Sequence, residues 1–403
     1  MRNLLFTIAV LLIFPLSQIA IDIYLPSLPA MGVYFSAPNQ YLQLSLTVYI
    51  LSLGISQFIY GPCSDRYGRK PVLLLGIFIF LIGTVCCLYS STIMQLLISR
   101  IIQGLGMGCG FVVGSAILGE TFKDKKLAQM TTASTTVYAL SPLLIPVLGG
   151  YLELFGGWKL NFIFILCFTL TIGIMIILFI PETNKTKNSN PLNGTTLYST
   201  YKKLLMHYKF ICYILCSISG YGINITFNVL GPFLLQTTYH LSVVKSGYML
   251  LLTGMSYFIG TIINQKLLTK FSIDDSILIG LCLMTLFSSS ILLITYLNIQ
   301  NFVVIMTFIC FTIISTGFIF SNCFAKALST FPDVLGTASA LIGSGGLLGV
   351  SLISWITSFV HVYDSFNVGL IFLIESIFGL FTFLMLKINL PNNVLFTRIE
   401  ENK

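Results

Sequence analysis

The segment Gly61-Pro62-Cys63-Ser64-Asp65-Arg66-Tyr67-Gly68-Arg69-Lys70-Pro71 places a cluster of charged residues between two long apolar runs, at 41–60 and 72–90. Each run holds about 20 residues, which at about 1.5 Å rise per residue lets an α-helix cross a hydrocarbon core about 30 Å thick. We therefore predict two membrane-spanning helices joined by a short charged loop that lies outside the membrane.

Apolar runs of this kind recur along the whole chain. Hydrophobic residues make up 56% of the 403 residues and charged residues only 8%, which lies well outside the range of ordinary soluble domains. Backbone polar groups in lipid must be satisfied within the segment, so helices are the natural spanning elements. The predicted spans lie near 4–25, 41–60, 72–90, 93–118, 129–152, 160–180, 210–233, 246–265, 275–297, 301–325, 337–361 and 365–386. We expect an all-α integral membrane protein with about twelve transmembrane helices in two six-helix bundles.

The longest polar connection divides the chain near its middle. It begins at Pro181-Glu182-Thr183-Asn184 and carries five lysines before the next apolar run. We predict an N-terminal six-helix bundle at 1–183, a cytoplasmic linker at 184–209 and a C-terminal six-helix bundle at 210–403.

Basic residues distinguish the two sides of the membrane. By the predicted spans, all but three of the 21 Lys and Arg residues lie on the side of the N-terminus, the exceptions being Lys159, Lys245 and the intramembrane Arg100. Short cytoplasmic loops concentrate such residues, so both termini are expected in the cytoplasm. This placement also argues against nucleic acid as the partner, which a net charge of +8 could otherwise suggest.

Ionisable side chains inside the spans are candidates for function. A carboxylate at membrane depth costs at least about 2.5 kcal/mol unless it is paired, hydrated or protonated, so Asp22 is the first candidate for proton exchange. Arg100 should face the bundle interior, where its charge could help hold Asp22 ionised. Two alternatives stay open: Asp22 faces water near the outer end of its span, and Arg100 is purely structural. Glu375 is either a second protonation site or part of a packing pair.

Several motifs carry a resemblance to a known family. The charged segment at 61–71 resembles the signature loop of the major facilitator superfamily. Other motifs resemble the Bcr/CflA drug-efflux branch of that superfamily, namely Ile21–Pro29, Arg100–Gly106, Ser141–Gly150, Gly157-Trp158-Lys159, and Phe331-Pro332 with Gly336–Ser339. The resemblance implies the major facilitator fold in a bacterial inner (cytoplasmic) membrane. It also assigns the arginine that matches Arg100 to proton coupling and gating.

The charged segment is a candidate conformational latch that stabilises the outward-facing form. Gly61 would let a neighbouring helix approach closely, and Gly68 would permit a tight turn. Asp65 could pair with Arg69 or face a helix N-terminus, and Arg66 belongs to the same charged group. The alternative is an ordinary basic anchor at the membrane surface.

Two further groups of residues complete the candidate site. The candidates for substrate binding are polar or aromatic residues within spans: Tyr24, Gln103, Tyr138, Asn224 and Asn228. The segment that resembles the antiporter motif in the fifth span supplies Ser141, Pro142, Pro146, Gly149 and Gly150.

These observations predict a proton-coupled secondary transporter that exports drugs or small amphipathic metabolites by alternating access. Proton-linked uptake, or siderophore transport on the same fold, is the near alternative. An enzyme or membrane sensor would show a catalytic constellation or an appended soluble domain, and neither is visible in the sequence. The expected partners are a small-molecule substrate, protons and the lipid bilayer. We expect a monomer with no cofactor, no metal and no nucleic-acid partner.

Overall fold

The computed structural model describes residues 2–184, 201–299, 301–331, 335–360 and 364–388. Twelve helical segments within these residues are long and apolar enough to cross a membrane. They are Leu4–Phe35, Asn39–Tyr67, Arg69–Tyr89, Ile93–Thr121, Asp124–Gly156, Trp158–Phe179, Tyr208–Thr238, Val243–Leu267, Ile273–Tyr296, Phe302–Ser329, Ala338–Ser358 and Ser365–Lys387. The described residues hold no strand, and the prediction of an all-α protein with twelve spans is confirmed.

Three spans differ from a single α-helix. The first joins the helix Arg2–Asp22 to a 3-10 turn and a second helix, Leu28–Phe35, and the tenth consists of two helices. The seventh helix, Tyr208–Phe233, continues into a π-helical turn, Leu234–Thr238. The helix of the eleventh span begins at Leu335.

The first span is ten residues longer than the predicted 4–25. Pro26 and Pro29 follow that predicted end, and each occupies the first turn of a new helical segment. Proline is tolerated there because the N–H that it lacks would have no intrahelical partner. The span therefore continues to Phe35, and Asp22 does not lie at its end.

The predicted charged loop is also helical for most of its length. The helix of the second span runs without interruption from Asn39 to Tyr67, and the next helix begins at Arg69. Gly68 alone separates them, with φ of 105°, a backbone conformation that only glycine adopts easily. The candidate latch is thus a sharp corner between two helices, and the prediction of a loop at 61–71 was wrong.

Small residues pack the first half closely. A Cβ added to Gly104 would lie 2.5 Å from the carbonyl oxygen of Tyr49, and one added to Gly106 would lie 2.3 Å from the backbone nitrogen of Phe80. Since these neighbours are backbone atoms, the fourth span cannot accept larger side chains at either position without moving away from the second and third spans.

Spans one to six contact spans seven to twelve mainly through spans two and eleven and through spans five and eight. The face where the first span begins and the twelfth ends is called the terminal face below. Near the opposite face, Thr47 and Ser354 share a hydrogen bond of 2.6 Å, and Gln236 donates to the carbonyl oxygen of Pro26 at 2.7 Å. These bonds join the two halves at the face away from the chain ends.

The predicted linker at 184–209 falls mainly on residues 185–200, which lie outside the described residues. Residues 201–206 are helical. Pro332 of the predicted motif before the eleventh span also lies outside the described part of the chain, as do residues 389–403.

Candidate functional site

Asp22 is the last residue of the first helix and is only 1% exposed. Gln18, one helical turn earlier, donates its amide N–H to both carboxylate oxygens at 3.0 Å. Because Asp22 is buried in the middle part of a span that continues to Phe35, the alternative that it merely faces water at the membrane surface was wrong.

Arg100 is completely buried in the fourth span. Its guanidinium group donates to the side-chain oxygen of Gln103, to the carbonyl oxygen of Ala20 at 3.1 Å and to that of Ser45 at 3.4 Å. These acceptors come from the fourth, first and second spans, so this one side chain holds three spans together. A buried charge needs such a set of hydrogen bonds to be tolerated.

Two aromatic rings surround the same guanidinium group. Its central carbon lies 4.6 Å from the ring centre of Tyr24 and 4.2 Å from that of Tyr49, which is the geometry of cation–π contacts. None of the ion pairs within the described residues joins Arg100 to Asp22. Arg100 can therefore influence Asp22 through space and through the Ala20 carbonyl, but not as a contact partner.

The five predicted substrate-binding residues fall into two groups. Tyr24 and Gln103 are fully buried and contact Arg100, and Gln103 also donates to Thr84 at 2.9 Å. The buried pair is committed to the Arg100 network and has no surface left for a ligand. Tyr138, Asn224 and Asn228 remain partly exposed.

Tyr138 links the first half to the second. Its hydroxyl donates to the side-chain oxygen of Gln18 at 2.9 Å and also interacts with Tyr221 of the seventh span. We call Gln18, Asp22, Tyr138 and Tyr221 the central polar cluster. Gln18 and Tyr221 are not among the site residues predicted from the sequence.

The two asparagines lie one turn apart in the seventh span, as predicted, but differ in their partners. Asn224 donates to Thr316 at 3.1 Å and to the carbonyl oxygen of Gly220 at 3.3 Å. Asn228 has no hydrogen-bond partner within the described residues and is partly exposed. An amide without a partner inside a span is free to bind a ligand.

The proline and glycine motif of the fifth span packs against the second half. Pro146 lacks the N–H that would bond the carbonyl of Pro142, and a Cβ added to Gly254 of the eighth span would lie 3.0 Å from that carbonyl oxygen. Gly150 lies against Val243 of the same span. The motif, which also includes the buried Ser141, therefore forms the contact between spans five and eight.

Gly149 of this motif packs against the first span. A Cβ there would lie 1.7 Å from the carbonyl oxygen of Ile23, so only glycine fits beside the residue that follows Asp22. The contact brings the fifth span to the backbone next to the buried carboxylate.

The corner at Gly68 holds a group of ion pairs. Arg69 pairs with Asp65 at 2.6 Å and with Glu120 of the fourth span at 2.8 Å, and it donates to the hydroxyl of Ser64 at 2.6 Å. All of these partners belong to the first half. Sequence reasoning had not singled out Glu120, since a single acid at the end of a span gave no distinguishing signal.

The other two latch residues play smaller parts. Arg66 is exposed and lies over the ring of Tyr67 at 5.3 Å. A Cβ on Gly61 would meet only Val112, at an ordinary contact distance of 3.6 Å. The expectation that Gly61 is needed for close helix approach was therefore wrong.

Glu182, which follows the sixth span, caps the helix of the third span, Arg69–Tyr89. Its carboxylate accepts the backbone N–H groups of Arg69 at 2.9 Å and Lys70 at 3.2 Å. Although partial burial opposes ionisation, these N–H groups and that of Asn184 hold the pKa of Glu182 below its ordinary value. Sequence reasoning assigned Glu182 only to the start of the linker.

Glu375 is the buried carboxylate of the second half. It is 6% exposed and accepts a hydrogen bond from the hydroxyl of Thr226 at 2.5 Å, whereas its second oxygen has no partner. None of the ion pairs within the described residues includes it. Its partner Thr226 belongs to the seventh span, so Glu375 pairs spans seven and twelve through a hydrogen bond, and both predicted alternatives for Glu375 stay open.

Twelve long apolar helices around buried polar residues describe a multi-pass membrane protein. Residues 10–354 match the sequence model of the Major Facilitator Superfamily. The chain belongs to that family, and the predicted resemblance is confirmed.

Its relatives include proteins named for drug resistance. The chain is 26% identical over 329 residues to a bicyclomycin resistance protein homolog of Haemophilus influenzae, covering 82% of each chain. It is 24% identical over 372 residues to multidrug resistance protein D of Escherichia coli, covering 92% of each.

Solved structures share the fold at lower identity. A D-xylose-proton symporter superimposes with a TM-score of 0.81 at 17% identity, covering 97% of this chain and 99% of that one. The human organic anion transporter MFSD10 (TETRAN) gives a TM-score of 0.66 at 18% identity, covering 95% and 99%. At such identity the likeness describes the architecture only.

Proposed function

We propose that this protein is a proton-coupled secondary transporter that exports drugs or small amphipathic metabolites by alternating access. The observation that carries the proposal is the central polar cluster, in which the buried Asp22 is linked through Gln18 to a partly exposed tyrosine at the boundary between the halves. The drug-resistance names of two relatives support drugs as the substrate class.

The proposed cycle uses Asp22 as the group that exchanges a proton. A carboxylate held at membrane depth by a single amide can be either charged or neutral as its surroundings change. Moving one proton across about 150 mV releases roughly 3.5 kcal/mol, which supports a substrate gradient of about a few hundredfold. One coupling carboxylate is therefore sufficient for export.

Alternating access would consist of rocking spans one to six against spans seven to twelve, the two units proposed on either side of the linker at 184–209. The hydrogen bonds near the face opposite the chain ends, such as Thr47 with Ser354, would close that side. We place the terminal face in the cytoplasm of a bacterium because of its excess of Lys and Arg. The ion pairs at Arg69 would favour the outward-facing form.

The test uses proteoliposomes that contain wild type, Asp22→Asn or Glu375→Gln, with bicyclomycin, ethidium and chloramphenicol as probes. We expect probe addition to move protons in wild type and in Glu375→Gln, and to move none in Asp22→Asn. Proton movement that survives in Asp22→Asn would exclude Asp22 as the coupling group.

Direction is tested separately in cells. Cells that lack the protein should accumulate more labelled probe than cells that carry it. A lower accumulation would instead support the uptake alternative.

A further inference from the structure

Gln18 connects the buried carboxylate to the boundary between the halves with both of its polar atoms. Its amide N–H donates to Asp22, and its carbonyl oxygen accepts from Tyr138. Gln18 is itself only 6% exposed, and both of its polar atoms are engaged in these bonds. The direction of one hydrogen bond therefore fixes the direction of the other.

This geometry makes the hydrogen-bond direction depend on the proton at Asp22. An ionised carboxylate only accepts hydrogen bonds, so Gln18 must turn its N–H groups towards it and its oxygen towards Tyr138. Tyr138 then donates to Gln18, and its oxygen, which interacts with the hydroxyl of Tyr221, keeps one lone pair to accept from a further group. A protonated Asp22 becomes a donor and can bond the oxygen of Gln18, which turns the amide N–H groups towards Tyr138 instead.

We propose that Gln18 is a positioning residue that converts protonation of Asp22 into a reversal of hydrogen-bond direction at Tyr138. With Asp22 ionised, Tyr138 offers an acceptor to a substrate, and with Asp22 protonated it offers a donor. The substrates that a proton would displace are therefore amphipathic molecules that carry N–H or O–H donors. This inference rests on the proposed role of Asp22 in proton coupling.

Other ionisable groups surround the cluster from several spans. Tyr24 of the same span, Tyr49 of the second and Arg100 of the fourth lie on the side of the first half, and Arg100 is held by its own acceptors. Tyr221 of the seventh span and Tyr257 of the eighth lie near Tyr138. The hydrogen bonds of the Asp22 carboxylate within the described residues come from Gln18 and from none of these ionisable groups.

The test separates hydrogen bonding from simple charge attraction with two permanent cations. Ethidium carries amino donors, whereas tetraphenylphosphonium carries none. Both should bind purified wild type more weakly as Asp22 becomes protonated, because both lose an attractive charge. The affinity for ethidium should fall about threefold to tenfold more than the affinity for tetraphenylphosphonium, because one ordinary hydrogen bond contributes about that much.

Gln18→Met keeps the length of the side chain but removes both polar atoms, and Tyr138→Phe keeps the ring but removes the hydroxyl. In each variant the affinities for ethidium and for tetraphenylphosphonium should depend on pH in the same way. If wild type shows no difference between the probes, or if Gln18→Met preserves the difference, the inference is wrong.

A readout that needs no ligand completes the design. Infrared difference spectra between high and low pH should show a carboxylic-acid band that disappears in Asp22→Asn, together with a tyrosine band that disappears in Gln18→Met and in Tyr138→Phe. A tyrosine band that persists in Gln18→Met overturns the role of Gln18 while leaving Asp22 in place. Absence of any change in Asp22→Asn relative to wild type would count against the proposed function itself.

Discussion

Among the residues that the structure describes, each half buries one carboxylate, and the two differ in how they are hydrogen bonded. Both oxygens of Asp22 accept from Gln18, which continues to Tyr138, whereas Glu375 has one donor, Thr226, and one oxygen without a partner. Asp22 shares its half with the buried cation Arg100, and the buried residues of the described second half include no Lys or Arg. Burial alone therefore does not define a coupling site.

The difference indicates two roles. A carboxylate whose oxygens both have donors, in a half that contains a buried cation, can carry a charge and give it up. A carboxylate with one donor and no nearby cation is satisfied best as the neutral acid, because the ionised form would leave an oxygen without a partner. We therefore expect proton exchange at Asp22 and a constant protonation state at Glu375.

Removing the buried cation should have the largest effect on the first half. Arg100→Met leaves the buried side-chain oxygen of Gln103 without its donor and removes one hydrogen bond from each of the carbonyl groups of Ala20 and Ser45; an unsatisfied buried acceptor costs about 1–3 kcal/mol. We expect transport to fall to background and the Tm of the solubilised protein to drop by several degrees.

Arg100→Lys is the matched control for that substitution. It keeps the charge but cannot serve several acceptors and two rings at once, so an intermediate loss is expected. If Arg100→Met transports at the wild-type rate, the buried cation is not what distinguishes the first half from the second.

Substitution of Glu375, the buried carboxylate of the second half, should have little effect on proton coupling. We expect Glu375→Gln, and also Glu375→Leu, to retain substrate-driven proton movement within about twofold of wild type. Replacing a carboxylate that has one unsatisfied oxygen by an apolar side chain is often neutral or stabilising, so the Tm of Glu375→Leu should be unchanged or higher. Loss of proton coupling in Glu375→Gln would instead make Glu375 a second proton-binding group.

Most of the fold could be predicted from the sequence, because length and apolarity alone define a membrane span. The errors concern features that composition does not encode. The second helix continues to Tyr67 despite its charges, since a charged segment can extend a helix beyond the membrane, and only the positive φ of Gly68 ends it. Similarly, the first span was predicted to end just before Pro26, whereas Pro26 lies in the first turn of a new helical segment, Leu25–Ser27.

The candidate site could be predicted only in part. Asp22 and Arg100 stand out in the sequence because charges inside spans are rare. Their partners do not, since Gln18 and Tyr138 are ordinary polar residues until packing brings them within 2.9 Å of each other. For the same reason the sequence could not separate the buried Tyr24 and Gln103 from the partly exposed Asn228.

Ion pairs at the terminal face provide a second, smaller contrast between the halves. Arg69 begins the third span, is 11% exposed and bonds three side chains, whereas Lys326 near the end of the tenth span is 29% exposed and, within the described residues, pairs with Asp274 at 2.9 Å. Exposed pairs contribute about 0–1 kcal/mol. We expect Arg69→Gln to reduce the transport rate about tenfold and Lys326→Gln to reduce it less than twofold, measured as probe efflux from loaded vesicles.

Double substitution sharpens that test. Because Arg69 and Asp65 interact directly, Asp65→Asn should add little to Arg69→Gln, whereas Lys326→Gln should add its own small effect independently. Equal losses in the two single variants would mean that the second half carries a latch of its own.

The smallest effect is expected at the helix caps. The helix of the third span is capped by Glu182, which is far away in the sequence. The helix of the ninth span is capped by its own neighbouring residues, Ser272 and Asp275. Glu182→Gln removes a negative charge from a helix N-terminus, a loss of about 0.5 kcal/mol. Since the pKa of Glu182 is lowered in the folded protein, this stabilisation is fully present above its ordinary value of 4.5 and is lost as the pH falls below it.

The difference in Tm between wild type and Glu182→Gln should therefore be constant near neutral pH and should shrink below pH 4.5. Asp275→Asn is the matched control, because it removes a cap charge that binds only its own helix. Glu182→Gln should also slow transport slightly, since Glu182 ties the end of the sixth span to the corner at Gly68, whereas Asp275→Asn should leave the rate unchanged. Equal transport rates in the two variants would show that the cap supplied by Glu182 has only a local role, like the cap of the ninth helix.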